Sequence, residues 1–245
     1  MQTRIKRALR STGYDVIQFD CVSSKDARRS KLLAAYGIDL VFDVGAHDGV
    51  YARHLRKNGY KGRIVSFEPR QHSFRELARH ADSDPLWEVE NVGLGSAPEV
   101  ATLNISRNRQ SSSLLPMLPR HLEANYQSEY VTQEQIEVTT FDCVFRRYFR
   151  ASDRPYLKMD TQGYERQILD GAAESLREVV GVQMEMSLVP LYEGERLFTE
   201  AITFMSQAGF TLMSIEPGFC DARTGQLLQV DGLFFRANAD PNGTN

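Results

Sequence analysis

Phe42-Asp-Val-Gly-Ala-His-Asp-Gly49 is the stretch that decides the fold of this chain. It continues an apolar run from Asp39 that is too short and too rich in β-branched residues for a buried helix. A helical pattern follows from about Gly49 to Asn58. Glycines at positions 45 and 49 allow a tight turn and close packing of the helix on the strand. The pattern predicts a strand, a turn and a helix, with a ligand position beyond the carboxyl end of the strand.

The next predicted strand, Arg63-Ile-Val-Ser-Phe-Glu68, ends in a carboxylate 25 residues after Asp43. Neighbouring parallel strands have their carboxyl ends at one edge of a sheet, so Glu68 is placed to accept both hydroxyls of a ribose. Pro69 fixes the turn that follows. The GxGxxG of dinucleotide sites is absent. The Asp-x-Gly-x-x-x-Gly spacing therefore favours a methyltransferase over a nicotinamide-dependent enzyme.

Outward from these two strands, short apolar runs alternate with helical patterns. Further strands are predicted at 87–92, 100–105, 135–139, 156–160, 179–185, 211–215 and 232–236. Helices are predicted after Pro69 through about His80, at 164–169 and at 198–208. The alternation predicts an α/β fold, a single doubly wound Rossmann-like domain whose mostly parallel sheet ends in an antiparallel hairpin.

This domain is predicted to occupy residues 37–237, after a lead-in helix or extension at 1–36 and before a disordered polar tail at 238–245. The first ten residues are basic and no apolar stretch follows them, so a signal peptide is not expected there. Two interpretations stay open for them. One is a polar lead-in helix packed on the domain; the other is a basic amphipathic helix in weak contact with a membrane surface.

The composition is that of an ordinary globular protein, with 42% hydrophobic and 25% charged residues. No run approaches the roughly 18 apolar residues of a membrane span. The net charge of −3 argues against a nucleic-acid partner, which needs a basic face. Three cysteines without CxxC spacing suit a reducing compartment, so a cytoplasmic location is expected. The sequence carries no signal for an oligomeric state.

Several motifs follow one another in an order that carries a family resemblance. They are Val41-Phe-Asp-Val-Gly-Ala-His-Asp-Gly49, Phe67-Glu-Pro69, Asn91-Val-Gly-Leu94, Ser111-Ser-Ser-Leu-Leu115, Tyr156-Leu-Lys-Met-Asp-Thr-Gln-Gly-Tyr-Glu165, Met184-Glu-Met186, Pro190-Leu-Tyr-Glu-Gly194 and Asp231-Gly-Leu-Phe234. From about Gly37 to Arg236 the chain resembles the FkbM-type methyltransferases, a class of S-adenosylmethionine-dependent O-methyltransferases. The motif at 156–165 is the most specific, since the family typically shows Leu-Lys-Ile-Asp-x-Gln/Glu-Gly-x-Glu. Gly93 and Thr161 stand where the family more often has Ala and Val.

The resemblance implies S-adenosylmethionine as cofactor and S-adenosylhomocysteine as product. The cofactor-binding residues that it implies are Asp43, Gly45, Ala46, His47, Gly49, Glu68, Pro69, Asn91, Val92, Asp160 and Gln162. Within this set, Glu68 would hold the ribose hydroxyls, and Asn91 and Val92 would flank the adenine. Asp160 and Gln162 would face the methionine end and the acceptor.

An alcohol acceptor must lose its proton as it attacks, so a base is expected at a strand end. The candidates are Glu185, Asp160 and His47. Glu185 comes first because it is expected to end an apolar strand, where burial raises a pKa; a purely structural role is the alternative. His47 is interpreted as a loop contact sooner than a base. No metal ligand is assigned, although a divalent cation held by Asp160, Glu185 and Asp231 is compatible with the sequence.

Two further segments belong to the expected acceptor side. The turn Tyr192-Glu-Gly-Glu195 is either part of an acceptor pocket or a charged surface turn. The segment from Arg107 to Glu134 has few apolar repeats, which indicates a lid or a disordered loop. It falls where the family places its Ser-Ser-Leu-Leu motif, so the resemblance favours the lid.

The function predicted from the sequence is O-methylation of a hydroxyl on the sugar moiety of a glycosylated metabolite, glycolipid or saccharide. A small molecule or a glycan is therefore the expected acceptor. The alternatives are methylation of a non-sugar hydroxyl or an amine, and a non-catalytic S-adenosylmethionine-binding module. Methylation of nucleic-acid bases is disfavoured, because Asp160-Thr-Gln-Gly163 stands where amino-methylating enzymes carry Asn/Asp-Pro-Pro-Tyr.

Overall fold

A computed structural model of the chain describes residues 2–239, so the predicted tail at 238–245 lies mostly outside the described residues. The strands are β1 (Leu40–Val44), β2 (Arg63–Phe67), β3 (Trp87–Glu90), β4 (Gly93–Gly95), β5 (Glu99–Ser106), β6 (Tyr130–Thr140), β7 (Pro155–Met159), β8 (Gly181–Ser187), β9 (Phe210–Pro217) and β10 (Gln229–Arg236). The α-helices are α1 (Gln2–Ser11), α2 (Lys25–Ala35), α3 (Val50–Lys57), α4 (Gln71–Ala81), α5 (Pro119–Ala124), α6 (Phe141–Tyr148), α7 (Glu165–Asp170) and α8 (Phe198–Gln207). Short 3-10 helices lie at Tyr126–Ser128, Ser175–Arg177 and Ala237–Ala239.

Seven of the described strands form the central sheet, in the order β3-β2-β1-β7-β8-β10-β9. β1 pairs in parallel with β2 and β7, and the outer neighbours β3 and β8 continue the parallel arrangement. β10 lies between β8 and β9 and runs antiparallel to both. The predicted α/β sheet, mostly parallel with an antiparallel pair at its carboxyl-terminal end, is confirmed.

Side chains of β1 alternate between two hydrophobic layers. Phe42 belongs to a core that contains Phe141 of α6, whereas Val41 belongs to one that contains Leu33 of α2 and Leu77 of α4. All five residues of β1 are buried, because helices cover both faces of the sheet. This arrangement explains why the strand is a continuous apolar run interrupted only by Asp43.

A second sheet, in the order β4-β6-β5, is not predicted by the sequence pattern. β6 begins at Tyr130, ahead of the predicted strand at 135–139. The sequence pattern did not indicate the first half of β6, because that half is mostly exposed and carries little apolar signal. Leu103, Ile105, Ile136 and Val138 give this sheet a small core of its own. The segment 107–134 therefore contains α5, a 3-10 turn and the start of β6.

The extension at 1–36 contains two helices with different surroundings. Helix α2 packs on the sheet through Leu33, and the Ser24 side chain caps it by accepting from the Ala27 N–H. In contrast, every residue from Arg10 to Phe19 is exposed. None of the helices described between residues 2 and 239 is both long enough and apolar enough to cross a membrane.

The turn after β1 requires glycine at position 45. Gly45 has φ of +72°, and a Cβ atom there would lie 2.0 Å from the carbonyl oxygen of Asp160. Asp160 directly follows β7, the parallel neighbour of β1. The carboxyl ends of the two central strands can approach this closely only because Gly45 has no side chain.

We expect Gly45→Ala to lower the free energy of unfolding by about 2–4 kcal/mol. Alanine is strained in the left-handed conformation of this residue, and its Cβ would also clash with the backbone of Asp160. Gly59 is the control. It has φ of +92° but nothing within 4 Å of an added Cβ, so Gly59→Ala should cost about 1 kcal/mol from strain alone. Urea unfolding measures both values. Equal losses would show that the approach to Asp160 does not constrain the turn.

Candidate active site

A cavity of about 530 Å³ lies at the carboxyl ends of the central strands. Nine predicted site residues line it: Gly45, Ala46, His47, Glu68, Pro69, Val92, Asp160, Gln162 and Glu185. Asp43, Gly49 and Asn91 were also expected to bind the cofactor, but they are not among the lining residues. The structure therefore brings most of the predicted site together and places these three behind its wall.

Glu68 joins the two turns that form one wall of the cavity. Its Oε2 accepts a hydrogen bond from the backbone N–H of His47, and its Oε1 accepts one from the backbone N–H of Arg70, both at 2.9 Å. The residue is 7% exposed. Burial raises the pKa of Glu68 to about 7, although the two backbone N–H groups oppose the increase.

Asn91 and Gly49 support the cavity from behind. Asn91 Nδ2 donates to the carbonyl oxygens of Glu68 and Pro69, both at 2.9 Å, and so positions the turn after β2. Gly49 is the N-cap residue before α3, with φ of +83°, and a Cβ there would lie 2.7 Å from the Trp87 ring. Gly49 is thus required for packing, and Asn91 for the path of the backbone.

Lys158 of β7 and Asp43 of β1 form a buried ion pair beside the cavity. The Lys158 Nζ atom lies 3.0 Å from Asp43 Oδ1, and the two side chains are 5% and 0% exposed. Nζ also lies 3.7 Å from Asp160 Oδ2 and 3.4 Å from the carbonyl oxygen of Gly45. Burial opposes the charged form, but the attraction of Asp43 and Asp160 outweighs it and raises the pKa of Lys158 above its ordinary value.

Sequence reasoning missed Lys158, although a signal for it was present. A lysine inside the apolar run Tyr156-Leu-Lys-Met159 implies a buried charge, and a buried charge requires a partner. Asp43 occupies the position directly opposite Lys158 in the β1–β7 register. The pair accounts for the aspartate inside β1, for which a direct role in the cofactor site was expected.

On the side of β7 and β8, Gln162 connects Asp160 with Glu185. Gln162 Nε2 donates to Glu185 Oε2 at 2.8 Å and to Asp160 Oδ1 at 3.2 Å. The Tyr192 hydroxyl donates to Gln162 Oε1 at 2.7 Å, and Ser113 Oγ donates to the Gln162 carbonyl oxygen at 2.7 Å. These contacts hold Gln162 in one orientation, with a backbone φ of +56° that non-glycine residues rarely adopt.

Glu185 lies inside β8 and does not end it, contrary to the prediction, because pairing with β10 extends the strand to Ser187. Asp231 of β10 is its direct partner in the register. Burial, followed by the charge of Asp160 and other nearby carboxylates, raises the pKa of Glu185 well above its ordinary value. The same two causes raise the pKa of Asp231 to about 6.

The side of the cavity formed by β7 and β8 also contains amide and phenol groups that were not predicted from the sequence. Gln183 Nε2 donates to Asp231 Oδ1 at 3.4 Å, and Gln183 Oε1 accepts from the Tyr51 hydroxyl at 3.0 Å. Tyr51 and Gln183 both line the cavity, as does Arg29 of α2, whose guanidinium lies 5.4 Å from the centre of the Tyr51 ring. Their positions depend on tertiary packing, because they come from three separate elements.

No group of three or more His, Cys, Asp or Glu side chains within residues 2–239 is arranged to hold a metal ion. The three carboxylates considered for a cation, Asp160, Glu185 and Asp231, instead accept hydrogen bonds from the amides of Gln162 and Gln183.

The two segments expected on the acceptor side reach the cavity only in part. In the acidic turn, Tyr192 is buried against Gln162, whereas Glu195 accepts from Ser187 Oγ at 2.6 Å and Glu193 is exposed. From the segment 107–134, residues 109, 110 and 112–114 line the cavity. The rest of that segment lies outside the cavity lining.

Comparison with known proteins shows the following similarities. The family model for the methyltransferase FkbM domain matches residues 43–212, more than half of the chain. Among solved structures, an rRNA methylase from Streptococcus thermophilus is similar over 87% of this chain and 97% of that chain, with 10% identity and a TM-score of 0.46. Magnesium protoporphyrin IX methyltransferase from Synechocystis PCC 6803 is similar over 86% and 78%, with 8% identity and a TM-score of 0.46. A search of curated proteins gave no significant match.

We expect Lys158→Met to lower the free energy of unfolding by about 3–5 kcal/mol, because the Asp43 carboxylate is left buried without its partner. Adding Asp43→Asn should recover part of this loss, since the remaining buried group is then neutral. Chemical denaturation of both single variants and of the double variant measures the coupling. Simple addition of the two single losses would contradict a direct pair.

Proposed function

Because the chain belongs to the methyltransferase FkbM domain family, we propose that it methylates a hydroxyl of a sugar moiety in a glycosylated metabolite, a glycolipid or a saccharide. Family membership gives methyl transfer as the reaction and S-adenosylmethionine as the cofactor. The sugar hydroxyl is the proposed part. The observation that carries it is the set of carboxylate and amide groups on one side of the cavity: Asp160, Gln162, Gln183, Glu185 and Asp231. Such groups suit the adjacent hydroxyls of a polyol, which donate and accept hydrogen bonds.

The cavity residues fit S-adenosylmethionine. A volume of about 530 Å³ is typical of pockets for small-molecule ligands. Among the described lining residues, His47 Nε2, Ser73 Oγ and two nitrogens of Arg70 are buried without a hydrogen-bond partner. A polar cofactor supplies partners for such atoms. When bound, it supplies an electrophilic methyl group on a positively charged sulfur.

In this proposal Glu68 accepts the ribose hydroxyls. Each of its carboxylate oxygens already accepts one backbone N–H, and each has a second lone pair for a ligand hydroxyl. A hydroxyl that donates a hydrogen bond to Glu68 favours the ionised form of its carboxyl group, so cofactor binding should lower the pKa of Glu68 from about 7. The support for this role is position: Glu68 follows β2, beside the turn that contains His47.

We assign the general base to Glu185. It takes the proton of the acceptor hydroxyl as the oxygen bonds to the methyl carbon and the sulfur keeps the electron pair of the broken bond. Its raised pKa makes it a stronger base than an ordinary carboxylate, and Gln162 fixes its position. Asp160 pairs with Lys158, which supports a positioning role for it. His47 holds Glu68 through its backbone N–H, which supports a cofactor contact.

We expect Glu68→Ala to weaken S-adenosylhomocysteine binding by about 1–3 kcal/mol, the loss typical of hydrogen bonds to a charged acceptor. Titration calorimetry measures the affinity. Glu165→Gln is the control, because Glu165 is equally buried and does not line the cavity. Unchanged affinity in Glu68→Ala would remove this residue from the ribose site, and no binding by the wild-type protein would remove the cofactor assignment.

Glu185→Gln should bind S-adenosylhomocysteine normally and transfer methyl groups about 100-fold more slowly or worse, because the amide cannot take the proton. In the wild-type protein, turnover should fall as the pH decreases through the raised pKa of Glu185, since the protonated form is not a base. Single-turnover transfer to glycosylated acceptors across pH, with the folded fraction measured in parallel, checks both expectations. A folded variant with wild-type turnover would exclude Glu185 as the base.

A further inference from the structure

The segment between α1 and α2 exposes apolar side chains that a globular protein normally buries. The exposed fraction of the residue is 71% for Tyr14, 48% for Val16, 58% for Ile17, 66% for Phe19 and 79% for Val22. They are five of the fourteen exposed large hydrophobic side chains found among the described residues, and they fall within nine positions. An apolar surface of this density marks a place where another molecule binds.

Helix α1, directly before this segment, is basic. Residues 2–11 contain Arg4, Lys6, Arg7 and Arg10 and no acidic residue, whereas the whole chain has a net charge of −3. Lys6, Arg7 and Arg10 are exposed. The next acidic residue, Asp15, lies 2.8 Å from Arg10. Residues 2–22 therefore contain four basic and two acidic residues, Asp15 and Asp20, a net charge of +2 in a chain whose total is −3.

We propose that residues 2–22, which we call the docking segment, bind the surface of an anionic lipid bilayer. The exposed side chains of Lys6, Arg7 and Arg10 meet anionic headgroups, and side chains such as Ile17 and Phe19 enter the boundary of the acyl chains. An anionic bilayer therefore binds both the basic side chains and the exposed apolar side chains of the docking segment. A symmetric contact with a second copy of the chain would bring two basic helices together, which like-charge repulsion opposes.

The docking segment is joined to the wall of the cavity. Arg28 of α2 donates to the carbonyl oxygens of Cys21 and Val22, both at 2.8 Å, which ties the end of the segment to that helix. Lys25, Asp26 and Arg29 of α2 line the cavity. A docked protein therefore holds this part of the cavity near the lipid surface, where a lipid-linked acceptor can enter. Only this last consequence rests on the proposed function.

The test is co-sedimentation of the full chain with vesicles of phosphatidylcholine alone or mixed with phosphatidylglycerol. Binding to the anionic vesicles is expected, with weaker binding at high salt. Neutralising Lys6, Arg7 and Arg10 together with Gln should reduce it about 100-fold, or roughly fivefold for each charge. The control changes Lys57, Lys61 and Arg177, which are exposed elsewhere, to Gln. That variant alters the net charge equally and should bind as the wild type does.

The apolar contribution is tested with Ile17→Ser/Phe19→Ser, against Leu86→Ser/Val100→Ser at two other exposed positions. Only the first pair should lose vesicle binding, by about tenfold or more. No binding by the wild-type protein, or equal loss in both pairs or in both charge variants, would overturn the proposal. So would an oligomer that Ile17→Ser/Phe19→Ser dissociates without any vesicle binding. Calorimetry measures the affinity of each variant for S-adenosylhomocysteine. This affinity tests the cofactor site of the proposed function independently of vesicle binding, so failure of one proposal can be told from failure of the other.

Discussion

The ion pair between Lys158 and Asp43 is the interaction on which the centre of the molecule depends. A lysine inside the sheet costs several kcal/mol unless a charge of opposite sign meets it there, and Asp43 does so from the adjacent strand. The pair therefore specifies the register of β1 against β7 in addition to the backbone ladder. The same ammonium group approaches the Gly45 carbonyl and Asp160. The sheet and the cavity wall are thus held by one buried cation.

Two polar side chains organise the cavity around this centre. Glu68 holds the turns after β1 and β2 through two backbone N–H groups, and Gln162 holds Asp160 and Glu185 through its amide. Both sets of hydrogen bonds join groups of the protein itself. The polar groups of the cavity are therefore already oriented, so that little ordering is left for the moment of binding.

The electrostatics of the cavity suit a cationic ligand. Burial raises the pKa values of Glu68, Glu185 and Asp231, and the charge of Asp160 raises those of Glu185 and Asp231 further, which means that the protein alone stabilises these ionised forms poorly. The sulfonium of S-adenosylmethionine brings a positive charge that favours the ionised forms. In the proposed reaction, methyl transfer would neutralise the sulfur while Glu185 takes up a proton. The charge of the cavity and that of the ligand therefore change together during the proposed reaction.

The sequence by itself determined the turn at Gly45, the acidic residue that follows β2, the alternation of strands and helices, and the family. These features are encoded by neighbouring residues and by periodicity, which a linear pattern preserves. Only the tertiary structure decided that Asp43 pairs with Lys158, that Glu185 lies within its strand, that β4, β5 and β6 form a second sheet, and that Arg10 to Phe19 are exposed. Each of these depends on which distant segments pack together, because pairing, strand length and burial are properties of the contacts between segments.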